Sequence, residues 1–255
     1  MNKLTLGIGI LAVVAGLTTY GVAEPDPDQG KATSTMTVAE LEQAADQARL
    51  EKDYQRAIEY FRIALRKDPK NSVLYNKMGM AELKKGNMEA ARSDFQKATK
   101  LNSKYANALN NIGAVDFSQK KFGSAAKYFK KAVALEETTA TFHINLGAAW
   151  FAQNKVERAI AEYTRALELD PDALNASSRT GVAAQITTLE ERARYSYMLA
   201  KIYARRGDVE NCLRCLRKAK EDGYRDMANV YKDEEFAGLR QDIRLAEVVP
   251  PPIGK

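Results

Sequence analysis

Apolar side chains recur along most of the chain at the spacing of an amphipathic helix. In the segment YQRAIEYFRIALRKD, Ala57, Tyr60, Phe61, Ala64 and Leu65 fall at i, i+3, i+4, i+7 and i+8, which places them on one helical face. Four columns repeat in steps of 34 residues: Ala57, Ala91, Ala125 and Ala159; Phe61, Phe95, Phe129 and Tyr163; Ala64, Ala98, Ala132 and Ala166; Gly79, Gly113 and Gly147. A period of about 34 residues predicts stacked helix–turn–helix units.

This register organises the chain into regular repeats followed by a less regular C-terminal part. Thr37 and Glu40 have the pattern of a capping box, which predicts where the first helix begins. A final helix is expected because the last repeat would otherwise expose its apolar face. The predicted segments are a signal peptide at 1–23, a linker at 24–36, four repeats at 38–71, 72–105, 106–139 and 140–173 within 37–173, an insertion at 174–192, a degenerate fifth repeat at 193–226, a closing helix at 227–249 and a tail at 250–255.

The columns resemble the tetratricopeptide repeat. The match is most complete in repeats two to four, whereas repeat one lacks the glycine and repeat five has Ala200 in its place. The resemblance implies an all-α fold, a right-handed α-solenoid of stacked antiparallel helix pairs. We expect the glycines to let the two helices of a hairpin approach closely, and the aromatic column to fill the groove between successive hairpins. In this family the first helices line a concave groove that binds peptides or partner proteins.

The resemblance also indicates which side chains would face that groove. Asparagine amides can both donate to and accept from an extended peptide backbone, and phenylalanine rings offer apolar contact. The positions predicted to bind a partner are Asn76, Lys77, Met80, Asn107, Asn110, Asn111, Phe117, Thr141, Ile144, Asn145 and Phe151. Family members that hold a C-terminal carboxylate use Lys, Asn and Arg for it. Here Glu42 and Asp46 stand at the matching places in repeat one and would repel a carboxylate, so no such clamp is expected.

The first 23 residues differ in character from the rest of the chain. Lys3 precedes an apolar stretch from Leu6 to Leu17. The segment then ends in the small residues Gly21 and Ala23, directly before the polar Glu24. This pattern is typical of a secretory signal peptide cleaved after Ala23, which predicts a periplasmic or secreted protein. The alternative is an uncleaved anchor in the inner membrane, although the apolar stretch is shorter than the ~20 residues that span a bilayer.

Charge and composition argue against several classes of function. The formal net charge of +6 falls to +5 without residues 1–23, and its modest size gives little support for nucleic-acid binding. The repeats, the insertion and the closing helix occupy nearly all of the mature chain, so no segment is left for a catalytic domain. With no phosphate loop, nucleophile motif or paired ligand set in the sequence, we expect no enzyme activity, cofactor or metal site. The expected partner is a protein or peptide, and a membrane only if the N-terminal segment is uncleaved.

One feature keeps a chemical alternative open. Cys212 and Cys215 have the Cys-x2-Cys spacing that can be redox-active or bind metal, although Cys212 falls in the column of small packing residues. His143, the single histidine of the chain, occupies a position where the family has a bulky packing residue, so we expect it to pack rather than to act in catalysis. We therefore weigh three hypotheses: an exported binding scaffold, a redox or metal-handling protein that uses the two cysteines, and a membrane-tethered assembly factor of the cell envelope.

Overall fold

The computed structural model describes residues 35–174 and 188–251, and its regular elements there are all helices. Ten longer helices form five antiparallel hairpins, and each hairpin packs on the next. The ten helices are α1 (Val38–Leu50), α2 (Tyr54–Lys67), α3 (Ser72–Lys85), α4 (Met88–Leu101), α5 (Ala106–Ser118), α6 (Phe122–Leu135), α7 (Ala140–Ala152), α8 (Val156–Leu169), α9 (Leu189–Arg205) and α10 (Val209–Glu221).

Several predicted segments lie partly or wholly outside the described residues. These are the signal peptide, nearly all of the linker, most of the insertion and the end of the tail. Within the described part, α9 begins at Leu189, four residues before the predicted start of the fifth repeat. The hydroxyl of Thr188 caps this helix by accepting the amide N–H of Glu191 at 3.1 Å. None of the helices in the described ranges is long and apolar enough to cross a membrane.

The start of α1 and the hairpin turns follow from local residue chemistry. The predicted capping box is present, because the Thr37 hydroxyl accepts the N–H of Glu40 while the Glu40 carboxylate accepts the N–H of Thr37. Each hairpin turn places one residue in the left-handed region. Those residues are Lys52, Gly86, Lys120, Asn154 and Gly207, with φ between 58° and 93°.

The glycine column makes room for the aromatic column inside each hairpin. A Cβ atom on Gly113 would lie 2.6 Å from Cε1 of Phe129, and one on Gly79 would lie 2.7 Å from the same atom of Phe95. The close approach of the two helices is as expected. The ring, however, lies on the glycine of its own hairpin, so the prediction that it fills the groove between successive hairpins was incomplete.

Buried carboxylates tie one hairpin to the next. Glu82 on α3 accepts a hydrogen bond from Arg62 on α2 at 3.3 Å and one from Asn87 at 2.7 Å. In the following repeat Asp116 on α5 accepts from Arg92 on α4 at 2.9 Å. Because a buried charge needs such partners, these pairs favour one stacking of neighbouring hairpins.

Asp94 on α4 provides a prediction for the pH dependence of stability. Burial, followed by the nearby charge of Glu82, raises the pKa of Asp94 to about 7. The folded state therefore holds the Asp94 proton more tightly than the unfolded chain does. This protonation contributes to the free energy of unfolding below pH ~4, and the contribution is lost as the pH rises towards 7. We expect Asp94→Asn to be more stable than the wild type by about 1–2 kcal/mol at pH 8, a value reduced for partial solvent screening.

The measurement for Asp94→Asn is urea unfolding of both proteins from pH 4 to pH 8. The difference in free energy of unfolding between the variant and the wild type should grow across this range. A difference that is the same at pH 4 and pH 8 would contradict the assignment of a raised pKa to Asp94.

The closing segment differs from the single helix predicted over 227–249. It consists of two 3-10 helices, Met227–Tyr231 and Glu234–Leu239, and one short helix, α11 (Ile243–Val248). Phe236, Leu239 and Ile243 have helical spacing, but Ile243 is 76 % exposed. The prediction of one helix was wrong because the residues that become buried are separated by six, three, six and three positions, which does not form a single helical face. Val230, Phe236, Leu239, Leu245 and Val248 are nevertheless all buried, so the segment still covers the last hairpin.

Candidate partner-binding face

The predicted groove residues lie on the first helices α3, α5 and α7, but they differ widely in exposure. Met80 is 37 % exposed and Asn107 is also exposed. Lys77, Asn111 and Thr141 are partly exposed. The remaining six are buried: Asn76, Asn110, Phe117, Ile144, Asn145 and Phe151. The surface available to a partner on these helices is therefore smaller than the sequence indicated.

The buried amides bond to one another along the solenoid. Nδ2 of Asn111 donates to Oδ1 of Asn76 at 2.9 Å, and Nδ2 of Asn145 donates to Oδ1 of Asn110 at 2.9 Å. Each pair joins the first helices of successive hairpins. The expectation that Asn76, Asn110 and Asn145 serve a peptide backbone is corrected accordingly, because these polar groups are buried and hold the repeats in register.

Lys77 continues the same arrangement toward the N-terminal hairpin. Its ammonium group lies 2.7 Å from Oε1 of Glu42 and 2.5 Å from Oδ2 of Asp46, both on α1. Burial lowers the pKa of Lys77, but the hydrogen bonds to Asp46 and Glu42 outweigh it, so the pKa is raised. Asp46 also pairs with Arg49 on α1 at 2.7 Å, so both carboxylates are already engaged by cations of the protein.

The two phenylalanines predicted to contact a partner are used inside the protein. Phe117 packs edge-on against Phe122, with ring centroids 5.0 Å apart. Phe151 packs against Tyr195 at 5.6 Å and lies under the guanidinium of Arg194. As each ring is only 7 % exposed, neither offers the apolar contact that the sequence suggested.

The C-terminal end of this face contains polar contacts that the repeat pattern did not reveal. Lys201 on α9 pairs with Asp233 at 2.9 Å, and Arg205 pairs with Glu235 at 2.8 Å. Tyr197 donates to Asp233 as well. The closing segment thereby neutralises basic groups on α9, the first helix of the fifth hairpin. The repeat pattern could not predict these pairs, because they depend on where residues 233–235 lie in the folded chain.

The cysteine pair has the character of packed side chains. Cys212 is fully buried, Cys215 is nearly so, and both are free thiols. Burial raises the pKa of Cys212 to about 12 and that of Cys215 to about 11. Since the thiolate is the nucleophile and the metal ligand, this environment gives the redox or metal-handling hypothesis no support.

His143 is also part of the packing. Its Nδ1 lies 2.7 Å from Oε2 of Glu162 on α8, and its Nε2 lies 3.0 Å from the carbonyl oxygen of Glu137. Both ring nitrogens are thus engaged in joining α7 to α8 and to the preceding loop. Within residues 35–174 and 188–251, no group of three His, Cys, Asp or Glu side chains is placed to hold a metal ion.

Comparison with solved structures shows which fold this arrangement has. MamA of Desulfovibrio magneticus RS-1 is 20 % identical, with a TM-score of 0.52 over 72 % of this chain and 93 % of that chain. YrrB, a tetratricopeptide protein with an unusual peptide-binding site, is 18 % identical, with a TM-score of 0.51 over 80 % and 96 % of the two chains. A tetratricopeptide protein of Thermus thermophilus is 17 % identical, with a TM-score of 0.50 over 83 % and 98 %. These likenesses confirm the all-α, right-handed solenoid.

Family models match the chain over most of the described repeats. Models described as tetratricopeptide repeat match residues 70–138, 115–173 and 193–221. A search of curated proteins found no match. The matches cover three of the four regular repeats and the degenerate fifth, where the glycine is replaced by Ala200. The chain belongs to the tetratricopeptide repeat family.

Proposed function

We propose that this protein is an exported, non-enzymatic scaffold that holds a peptide or protein partner along the first helices of its repeats. The observation that carries the proposal is the surface left on α3, α5 and α7 once their internal contacts are made. Four of the predicted residues remain at least partly exposed there: Met80, Asn107, Asn111 and Thr141. The same helices are held in register by the hydrogen bonds between asparagine side chains of successive repeats. A preorganised surface of this kind binds with less loss of conformational entropy.

The exposed residues also indicate the chemistry of the partner. They are neutral, and the nearby Lys77 is already paired with Glu42 and Asp46. Such a surface suits an extended backbone or an uncharged polar segment better than an anionic chain terminus. The peptide-binding site of YrrB, which has the same fold, supports a peptide as one form of the partner.

Export is proposed from residues 1–23. The stretch from Leu6 to Leu17 and the small residues before Glu24 have the pattern of a cleaved signal peptide. The mass of the native N-terminus decides between cleavage and a membrane-tethered assembly factor, because a chain that starts at Glu24 has lost the anchor.

Photocrosslinking in cells tests the proposed face. A photoreactive residue at Asn107 or Thr141 should form a covalent adduct with the same partner, because both positions lie on first helices. Ala161 is the matched control, since it is exposed on the second helix α8. Adducts at Ala161 but not at Asn107 or Thr141 would contradict the assignment of the binding face.

A further inference from the structure

The surface contributed by residues 95–135 carries positive charge without exposed carboxylates. This segment contains eight lysines and a single acidic residue, Asp116. The Asp116 side chain is fully buried and bonded to Arg92 and Ser124, so it does not offset the lysines at the surface. The modest net charge of the whole chain conceals this local excess.

Six of these lysines lie on two second helices or directly after one of them. Lys97 and Lys100 are on α4, Lys104 follows α4, and Lys127, Lys130 and Lys131 are on α6. All six are exposed, and we call them the lysine face. Helices α4 and α6 run in the same direction because they are the second helices of successive hairpins. Lys97 and Lys131 occupy equivalent positions 34 residues apart, so they lie on the same side of the solenoid, and Lys127 is one helical turn before Lys131.

The ammonium groups of the lysine face are available to an external anion. The ion pairs formed nearby use other cations, namely Arg62, Lys77 and Arg92. Lys97 instead lies 5.5 Å from the ring centroid of Tyr75, and Lys131 lies 5.7 Å from that of Tyr128. Contacts of this kind attract the ammonium group but add no negative charge. The nearest acids along the chain are Asp94, which is half-buried and interacts electrostatically with Lys97, and Glu136, at the edge of the face.

Exposed leucines accompany these lysines. Leu101 and Leu135 are the last residues of α4 and α6 and are 39 % and 40 % exposed. They occupy equivalent positions in successive repeats, next to Lys100 and four residues after Lys131. The surface therefore combines a group of cations with apolar side chains at its edge.

We propose that the lysine face docks on an anionic phospholipid membrane surface. Lysines near such a surface each contribute about 1 kcal/mol without a fixed geometry, and exposed leucines can enter the headgroup boundary. Nucleic acid suits the face less well, because residues 95–135 contain no arginine for bidentate recognition. A protein interface is also a poorer match, since lysine is depleted in interface cores.

This contact is separate from both the N-terminal segment and the proposed partner-binding face. The lysine face belongs to second helices, whereas Met80, Asn107 and Thr141 lie on first helices. A membrane-bound protein could thus still present its first helices to a partner. The sequence alone suggested a membrane contact only through residues 1–23.

Vesicle co-sedimentation of the full chain tests the proposal. The probes are vesicles of phosphatidylcholine alone and vesicles that also contain phosphatidylglycerol, each at low and high salt. The variant Lys97→Gln/Lys127→Gln/Lys130→Gln/Lys131→Gln should bind the anionic vesicles at least about tenfold more weakly than the wild type at low salt. The control variant Lys70→Gln/Lys84→Gln/Arg206→Gln/Arg217→Gln removes the same charge from exposed sites outside residues 95–135 and should bind nearly as the wild type does.

The outcomes separate this surface from the N-terminal apolar segment, which is the same in all three proteins. If that segment alone inserted, binding would be the same with and without phosphatidylglycerol and the same for the wild type and the lysine variant. This result would overturn the proposal. Equal losses in the two variants would also overturn it, because net charge rather than the lysine face would then govern binding. Binding of the wild type to DNA or to an acidic protein through these lysines, without binding to anionic vesicles, would contradict it as well. Circular dichroism of both variants verifies that they are folded.

Discussion

Replacing Gly113 by alanine is expected to lower the free energy of unfolding by about 2–3 kcal/mol. In most helices the same substitution is favourable, because alanine has the higher helix propensity by ~1 kcal/mol. Here the new methyl group would lie 2.6 Å and 2.7 Å from two ring atoms of Phe129 and 3.2 Å from the carbonyl oxygen of Ala125. Phe129 is fully buried, so its ring has little room to move. Urea unfolding followed by circular dichroism measures the loss.

Gly123 is the matched control for Gly113. It lies near the start of α6, where an added Cβ atom would have no neighbour within 4 Å. Gly123→Ala should therefore leave stability unchanged or raise it by up to about 1 kcal/mol. Phe129→Leu in the Gly113→Ala background should cost less than the sum of the single changes, because the smaller side chain relieves the clash. Equal stability of Gly113→Ala and Gly123→Ala would contradict the steric explanation.

Replacing Asp116 by alanine is expected to cost about 3 kcal/mol. Its carboxylate is fully buried and accepts hydrogen bonds from Nε of Arg92 at 2.9 Å and from Oγ of Ser124 at 2.6 Å. The hydrogen bond with Asp116 is the main reason that the pKa of Arg92 is raised. Without the carboxylate, the guanidinium and the hydroxyl lose their acceptor, and the link from α4 to α5 is lost. Thermal or urea unfolding measures this cost.

A surface ion pair provides the comparison for Asp116. Arg165 and Glu168 are 2.9 Å apart, but their side chains are 47 % and 50 % exposed. Exposed pairs of this kind contribute little because water screens them, so Glu168→Ala should change stability by less than about 0.5 kcal/mol. If Asp116→Ala cost no more than Glu168→Ala, the buried pair would not hold α4 to α5 as described.

The residue columns were sufficient to predict the hairpins, because they reflect contacts that recur in every repeat. Gly113 and Phe129 are 16 residues apart in one hairpin, and the same pair of columns appears in repeats two and four. The capping box at Thr37 and Glu40 is likewise local, since its two hydrogen bonds connect residues three apart. Such short-range relations can be read from spacing alone.

The candidate binding face was predicted less well, because exposure on a first helix depends on the neighbouring hairpins. Asn110 and Phe117 occupy positions that line the groove in the family, but one bonds to Asn145 and the other packs on Phe122. The sequence did carry a signal for the amides, since the residues of each bonded pair are 35 positions apart, one more than the repeat. That offset becomes meaningful only once the stacking of successive first helices is known.

What the sequence by itself determined was the repeat period, the helix pairs, the family and the close approach of the two helices at each glycine. All of these depend on periodic side chains whose contacts recur at short separation along the chain. Only the tertiary structure decided which groove positions are exposed, how residues 227–249 cover the last hairpin, and that lysines from α4 and α6 share one side. These properties depend on contacts between repeats and on which neighbours bury each side chain, and no spacing within a single repeat specifies them.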